Sequence, residues 1–257
     1  MPIYEDNKIK YCEYPCYPED KDKCLSYSNN NGCLSCDIWC KLINGKCIAN
    51  YSFKVVYFSK TVNENIQLIN SKYINDIKDM IYNNSISPSS SFSFPNIGNH
   101  TIYFFFKENI TTLRGLFQGI QKMYYISFTS NFGTGNVSDM SYMLYNCYNL
   151  ISVDVSNLNT KKVESLGFIF YGCNSLTSID ITNFNTNNVI DMSRMFSGCY
   201  SLTSINLSNL NTQNVTNFQY MFAYCRNLTS IDVSNFDTKK AENIGVMFSN
   251  CVSFNNY

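Results

Sequence analysis

An α+β repeat solenoid, a right-handed array of 26-residue units preceded by a small β domain and a disulfide-rich module, is the fold class this sequence predicts. Three observations predict it. Cys147, Cys173, Cys199, Cys225 and Cys251 follow one another at intervals of 26 residues. The apolar positions around them recur at that interval and change period inside each unit, from helical to alternating. Seven further cysteines crowd into residues 12–47.

The first element, residues 1–50, carries Cys12, Cys16, Cys24, Cys33, Cys36, Cys40 and Cys47 in the spacing C-x3-C-x7-C-x8-C-x2-C-x3-C-x6-C, with Trp39 as the only tryptophan. Too few apolar residues are present to build a core, so covalent staples are expected to hold it. Such cysteine density points to disulfides in an oxidising compartment, and an odd count implies a partner upstream of this chain. The rival is a zinc site using Cys33, Cys36 and two of Cys24, Cys40 and Cys47, because C-x2-C is also a zinc-ligand spacing. The segment resembles the cysteine-rich modules of growth-factor-receptor-like and protist surface proteins.

Residues 51–109 read as a small β domain. A strand is expected at Phe53 to Phe58, and a hairpin of Phe92 to Phe94 with Thr101 to Phe106 about a turn at Pro95 to Asn99. Between them, Ile66, Ile69, Tyr73, Ile77, Met80 and Ile81 fit a helix, while the asparagines at 70, 75, 83 and 84 fit breaks between short strands. His100, the only histidine, is expected at a strand edge, without an orienting partner.

The array occupies residues 110–257. Upstream of the cysteines stand Val137, Val163, Val189, Val215 and Ala241, then Met140, Leu166, Met192, Phe218 and Ile244, then Met143, Ile169, Met195, Met221 and Met247, each of the last set followed by an apolar partner. Steps of 3, 3 and 1 predict a helical return. Downstream, Leu150, Val153 and Val155 recur as Leu176, Ile179 and Ile181, as Leu202, Ile205 and Leu207, and as Leu228, Ile231 and Val233. The i, i+2 alternation predicts a short strand in every unit. No unit buries its apolar side alone, so stacking is required. A worn copy, Ile110 to Met123 followed by a strand at Ile126 to Phe128, precedes the strict repeat and is expected to cap it. Phe254 takes a leucine position at the other end, where either truncation or a minimal cap is expected. A unit of 26 residues falls within the leucine-rich-repeat range of about 20 to 29.

The units Val163 to Thr186 and Val189 to Thr212, read as V-x-x-M-x-x-M-F-x-G-C-x-S-L-T-S-I-D-L-S-N-F-N-T, resemble the BspA-like leucine-rich repeat family over residues 110–257. Cys199, Ser201, Leu202, Thr203, Ser204 and Ile205 stand in unbroken order within that phrase. Asn183 follows Leu176 by seven residues and not the usual eight, a departure that bears on the turn after the strand. Gly98 to Phe104, G-N-H-T-I-Y-F, resembles the segment that precedes such repeats in proteins of eukaryotic microbes. The resemblance implies a cell-surface adhesin.

Stacked units turn each repeat position into a ladder with a rise of about 4.8 Å. The cysteine ladder of Cys147, Cys173, Cys199, Cys225 and Cys251 is expected to fill the core as small apolar groups with weak S–H donors. Asn157, Asn183, Asn209 and Asn235 are expected to turn inward and satisfy backbone groups. Asp154, Asp180, Asn206 and Asp232 fall between inward residues and so point to solvent. Their mutual repulsion invites a basic ligand or a Ca²⁺ ion, or the stripe simply keeps the face soluble. Thr177, Ser178, Thr203, Ser204, Thr229 and Ser230 add hydroxyls, giving a face suited to a protein or glycan ligand.

Hydrophobic residues make up 45% of the chain and charged ones 15%, a composition that folds. Nineteen basic residues balance nineteen acidic ones, so nucleic acid is not expected as a partner. No apolar run approaches the roughly 20 residues that cross a bilayer. The N-terminus lacks a signal sequence, and the start is expected to be incomplete. Sequons at Asn50, Asn83, Asn99, Asn109, Asn136, Asn206, Asn214 and Asn227 agree with a glycosylated extracellular or cell-surface protein. No nucleotide-binding, nucleophile-elbow or zinc-protease fingerprint occurs, so neither an enzyme nor a cofactor is expected. The leading expectation is non-enzymatic adhesion or ligand recognition; the alternative is a structural spacer or coat protein whose repeats project the cysteine-rich head.

Overall fold

Successive side chains along Phe53–Ser59 alternate between faces, and the segment forms a strand with Phe53, Val55, Tyr57 and Ser59 on its buried face. The computed structural model describes residues 26–28, 32–35, 40–43, 46–49, 52–82, 84–107, 110–129 and 132–253. The chain divides into two compact units, Met1–Ser52 and Phe53–Tyr257.

In the first unit, β1 (Ser26–Ser28) pairs antiparallel with β2 (Gly32–Ser35), and β3 (Cys40–Ile43) pairs antiparallel with β4 (Lys46–Ala49). The side chains of this unit, with its disulfide or zinc chemistry at Cys12, Cys16, Cys24, Cys33, Cys36, Cys40 and Cys47, lie outside the described residues, as do Phe254 and the terminal cap.

The second unit opens with β5 (Phe53–Ser59), followed by β6 (Glu64–Gln67), a 3₁₀ helix at Ser71–Asp76, β7 (Ile77–Tyr82), β8 (Asn84–Ile86), β9 (Ser91–Phe94), β10 (Gly98–Phe106), β11 (Met123–Phe128) and, after a second 3₁₀ turn at Thr134–Asn136, β12 (Ser152–Asp154). Six strands form one sheet in the order β12-β11-β5-β10-β7-β8. All its pairings are antiparallel except β11 with β12. Strands from both sides of residue 110 therefore share hydrogen bonds. Phe53 anchors the core, with its ring centroid 4.9 Å from that of Phe104 and 5.3 Å from those of Phe117 and Phe132.

Several expectations are corrected here. The Phe92–Phe94 segment does not form a hairpin with β10; as β9 it pairs with β6. The ambiguous segment after Ile66 is neither a helix throughout nor strands throughout, because Asn70 accepts from the Lys72 amide and caps the 3₁₀ turn, and β7 follows it. His100 is not at an edge. It sits on β10 between β5 and β7 and is buried.

The largest correction concerns the repeats. An α+β leucine-rich-repeat-like solenoid requires a helical return and a strand in every unit. Among the described residues there is no α-helix, the sheet stops at β12, and later units carry no strand. The 3, 3, 1 stripe belongs instead to a run of tight turns. Met143 donates to the Met140 carbonyl, Tyr145 to Tyr142 and Cys147 to Leu144, at 3.1–3.3 Å. Between these, Tyr142, Leu144 and Asn146 donate to Gly167, Ile169 and Tyr171 in the next unit at 2.7–3.1 Å. Every second amide thus leaves its own turn, which an α-helix forbids. Left-handed backbone makes this possible: Tyr142 and Asn146 have φ of 60° and 57°, and Phe168 and Gly172 repeat them at 59° and 68°. Side chains three apart share a face in such turns just as in a helix, which is why the stripe misleads.

Each unit is therefore one rung. Single parallel bridges join Thr112, Asp139, Ser165, Asp191, Asn217 and Asn243 in succession. Inside, Phe170, Phe196, Phe222 and Phe248 stack with centroids 5.5–5.6 Å apart and planes within 11°. Val137, Val163, Val189, Val215, Leu150, Leu176, Leu202 and Leu228 are wholly buried beside them.

Candidate functional site

Asp154, Asp180, Asn206 and Asp232 each follow an isoleucine or valine whose side chain packs on the core, and their own side chains turn to the opposite side. Each then closes its own turn. Asp180 Oδ1 accepts from the Thr182 amide at 2.9 Å and the Thr182 hydroxyl at 2.6 Å. Asp154 does the same with Ser156 at 3.0 and 2.6 Å. Asn206 Oδ1 accepts from the Ser208 amide and Asp232 Oδ1 from the Ser234 amide, at 3.0 and 2.9 Å. These are side-chain-to-backbone turns of the kind Asp and Asn favour. The hydrogen bonds from residue 182 hold the Asp180 carboxyl below its usual range, and those from Ser234 do so for Asp232.

The four side chains are not equal. Asp154 is half-buried, and its second oxygen lies 3.4 Å from the Ser127 hydroxyl. Asp180, Asn206 and Asp232 are exposed. Thr177, Ser178, Thr203, Ser204, Thr229 and Ser230 are exposed as well. Thr203 and Thr229 point their hydroxyls at the Thr177 and Thr203 carbonyls one rung back, at 3.5 Å. The hydroxyls of Ser178, Ser204 and Ser230 make no hydrogen bond among the described residues. Three rungs in register therefore offer a free hydroxyl, two residues from a carboxylate or amide that keeps half its bonding capacity. No group of three His, Cys, Asp or Glu side chains converges as a metal site among the described residues.

Most other repeated polar groups hold the rungs together. Thr186 Oγ1 donates to the Asn211 carbonyl at 2.9 Å and accepts from the Asn211 amide at 2.8 Å. Thr134, Thr160 and Thr212 make the same reciprocal pair with Asn159, Asn185 and Asp237. Asn157, Asn183, Asn209 and Asn235 donate to carbonyls of the preceding rung, although they are exposed and do not turn inward.

The repeat cysteines are buried from Cys147 through Cys225, with Cys251 half-buried, and all five are unbonded thiols. Each thiol donates one rung back, as Cys173 does to the Leu144 carbonyl at 3.3 Å. Burial pushes the Cys147, Cys173 and Cys199 thiols well up and Cys225 to about 12. Thiolate chemistry is closed to them at neutral pH.

His100 has the partners the sequence did not reveal. Its Nε2 lies 2.7 Å from Ser59 Oγ and 2.9 Å from the Asn96 carbonyl, and its Nδ1 lies 3.0 Å from the Tyr82 hydroxyl. Phe94 stacks on the ring at 4.1 Å. Ser59 Oγ donates to the Asn96 carbonyl at 2.6 Å and is wholly buried. One tautomer satisfies the set, with the proton on Nε2 and Nδ1 accepting from Tyr82. In that form Nε2 is a donor and takes no proton from Ser59.

Sequence reasoning also missed a column of rings and guanidiniums. Tyr142 stacks on Phe168 at 4.5 Å, and Arg194 sits 5.2 Å from Phe168 and 4.5 Å from Tyr220. Arg114 covers Tyr142 at 4.6 Å. Tyr142, Phe168, Arg194 and Tyr220 recur at the left-handed position, and their 26-residue spacing was the available signal. Their faces are spent on one another, which leaves edges to solvent.

A family model described as "Mycoplasma protein of unknown function, DUF285" matches residues 86–178 and again residues 168–257. No curated protein and no solved structure matches the chain.

Proposed function

The chain belongs to the DUF285 family, and from that premise we propose that it is a non-enzymatic cell-surface adhesion or ligand-recognition protein of the BspA-like kind, acting outside the cell on a protein or glycan. The observation that carries this reading is the repeated free hydroxyl at Ser178, Ser204 and Ser230 beside Asp180, Asn206 and Asp232. A row of donors and acceptors at a fixed rise suits an extended ligand with a repeating polar edge, since each added rung adds an equivalent contact. The state of His100 supports the non-enzymatic part, because its Ser59 neighbour is sealed from solvent.

The test is binding of the purified chain to a panel of immobilised glycans and extracellular-matrix proteins. Ser178→Ala/Ser204→Ala/Ser230→Ala should weaken a binder by about tenfold or more, on the order of 1.4 kcal/mol. Asp180→Asn/Asp232→Asn keeps the turn acceptor and tests charge alone. Equal binding by both variants removes the face from the proposal.

A second reading, a spacer that projects the cysteine-rich head, draws on the ring stack of Phe170, Phe196, Phe222 and Phe248, which gives the rungs one continuous core. Deleting residues 189–214 would then leave binding intact, while deleting residues 1–50 would abolish it.

A further inference from the structure

From Tyr142 onward, two rungs each set a pair of rings side by side on their turns. Tyr142 and Tyr145 have centroids 5.5 Å apart, and Phe168 and Tyr171 have centroids 5.7 Å apart. The pairs also stack between rungs, Tyr142 on Phe168 at 4.5 Å and Tyr145 on Tyr171 at 4.8 Å with planes 9° apart. Two columns of rings result.

The next rung breaks the second column. Arg194 continues the first by lying between Phe168 and Tyr220, but Ser197 and Ala223 stand where the second would need rings. Half-buried Tyr171 therefore ends its stack with one face on Tyr145, and among the described residues no ring meets the other.

The groups that border this gap have polar capacity unspent. Ser197 is 4% exposed, yet its hydroxyl makes no hydrogen bond among the described residues, where a group so enclosed ordinarily has a partner. Arg194 has both faces on rings and no acceptor on its N–H edge among the described residues. Tyr200 comes within 4.0 Å of the place a β-carbon on Gly198 would take, and it carries Arg226 over its ring at 4.8 Å. Burial pushes the Tyr171 hydroxyl up, Tyr145, Tyr200 and Tyr148 add to the rise, and Arg194 pulls the other way, so these groups share one electrostatic neighbourhood.

We propose that the gap beyond Tyr171, over Ser197 and between Arg194 and Tyr200, binds an acidic sugar: a pyranose ring bearing a carboxylate. Such a ring has an apolar C–H face to lay on Tyr171 and a polar rim for the surrounding hydroxyls. By the side-by-side spacing of the two preceding rungs, a ring over Ser197 stands 5.5–5.7 Å from the Arg194 position. A carboxylate on it then meets the guanidinium edge as a bidentate pair. An aromatic side chain would fill the same gap but leave the Ser197 hydroxyl and the guanidinium unmet, and a neutral sugar would leave the guanidinium unmet. The site shares no residue with the face of Ser178, Ser204 and Ser230 and does not depend on that face binding anything.

The experiment titrates the full chain with the methyl glycosides of glucuronate, galacturonate and N-acetylneuraminate, and with their methyl esters, which keep the ring and remove the charge. At least one acid should bind by calorimetry or saturation-transfer NMR, about tenfold or more tighter than its ester. Tyr171→Ala should abolish that binding, and Arg194→Gln should erase the preference for acid over ester. Ser197→Tyr continues the Tyr145 and Tyr171 stack, so it should keep or raise the melting temperature while blocking the sugar. Should that variant fail to fold, Tyr171→Ala and Arg194→Gln decide. Ser178→Ala/Ser204→Ala/Ser230→Ala should bind as the unaltered chain does. No binding of any of the three acids, equal affinity for acid and ester, a folded Tyr171→Ala or Ser197→Tyr chain that still binds, or loss of binding in the triple serine variant would each overturn the proposal.

Discussion

The Cys199 thiol donates to the carbonyl of Phe170 over 3.2 Å, joining two rungs through the interior. The same link recurs from Cys225 to Phe196 at 3.2 Å and from Cys251 to Phe222 at 3.0 Å. It requires the proton to stay on sulfur.

Alkaline stability follows from that requirement. The folded thiol values are raised, so above the unfolded value of about 8.5 the unfolded chain loses protons that the folded chain keeps. Stability is full below that pH and declines as pH rises toward the folded values, which for Cys225 is about 12. Thermal melts from pH 7 to 10 should show the melting temperature falling above pH 8.5, and a variant with Cys147, Cys173, Cys199 and Cys225 all changed to Ala should show a flatter profile. Among the five repeat cysteines, native-state alkylation should label Cys251 first.

Acid acts through a different set. Asp180 and Asp232 have lowered folded values, so their contribution is present above the unfolded value of about 3.9 and is lost as pH falls through the folded one. Asp180→Asn/Asp232→Asn should flatten the acid limb of the melting profile below about pH 4. An unchanged limb would assign acid sensitivity elsewhere.

Opposite signs are expected at two left-handed positions. Gly172 has φ of 68°, and a methyl group there would overlap the Asn146 side chain. Gly172→Ala should cost about 1–3 kcal/mol. Val246 holds φ of 53° with a branched side chain, so Val246→Gly should be neutral or stabilising by up to about 1 kcal/mol. Urea unfolding of both variants checks the pair.

Thr186 tests the reciprocal ladder. Thr186→Val keeps the shape but strips both the Asn211 amide and carbonyl of their partner, and should cost about 2–4 kcal/mol. Thr186→Ser restores the hydroxyl and should recover most of that loss. Chemical denaturation distinguishes the two.

Much of this was legible. The 26-residue cysteine spacing marked the rungs, the valine and leucine positions around it are buried, and Phe53 to Phe58 is a strand. The turns were not, because residues three apart share a face in a helix and in a closed turn alike. The discriminating signal was Gly119, Asn146, Gly172, Gly198 and Asn250, residue types that tolerate positive φ, recurring four residues after another left-handed site. At the candidate face, alternation showed which side chains point outward, but it could not show that Asp154 and Asp180 spend one oxygen on their own turns. The partners of His100 were out of reach, since Ser59 and Tyr82 are 41 and 18 residues away and meet it only through the sheet.

The uniform bonding between rungs also governs how the molecule yields to a pull. Neighbouring rungs are joined by equivalent sets of hydrogen bonds and should yield one at a time, while the rung clamped by Asn70 and Tyr73 holds until last. Each rung released adds 26 residues, about 90 Å of slack. Extension should advance in equal steps, so the chain would lengthen gradually under tension and not give way at once.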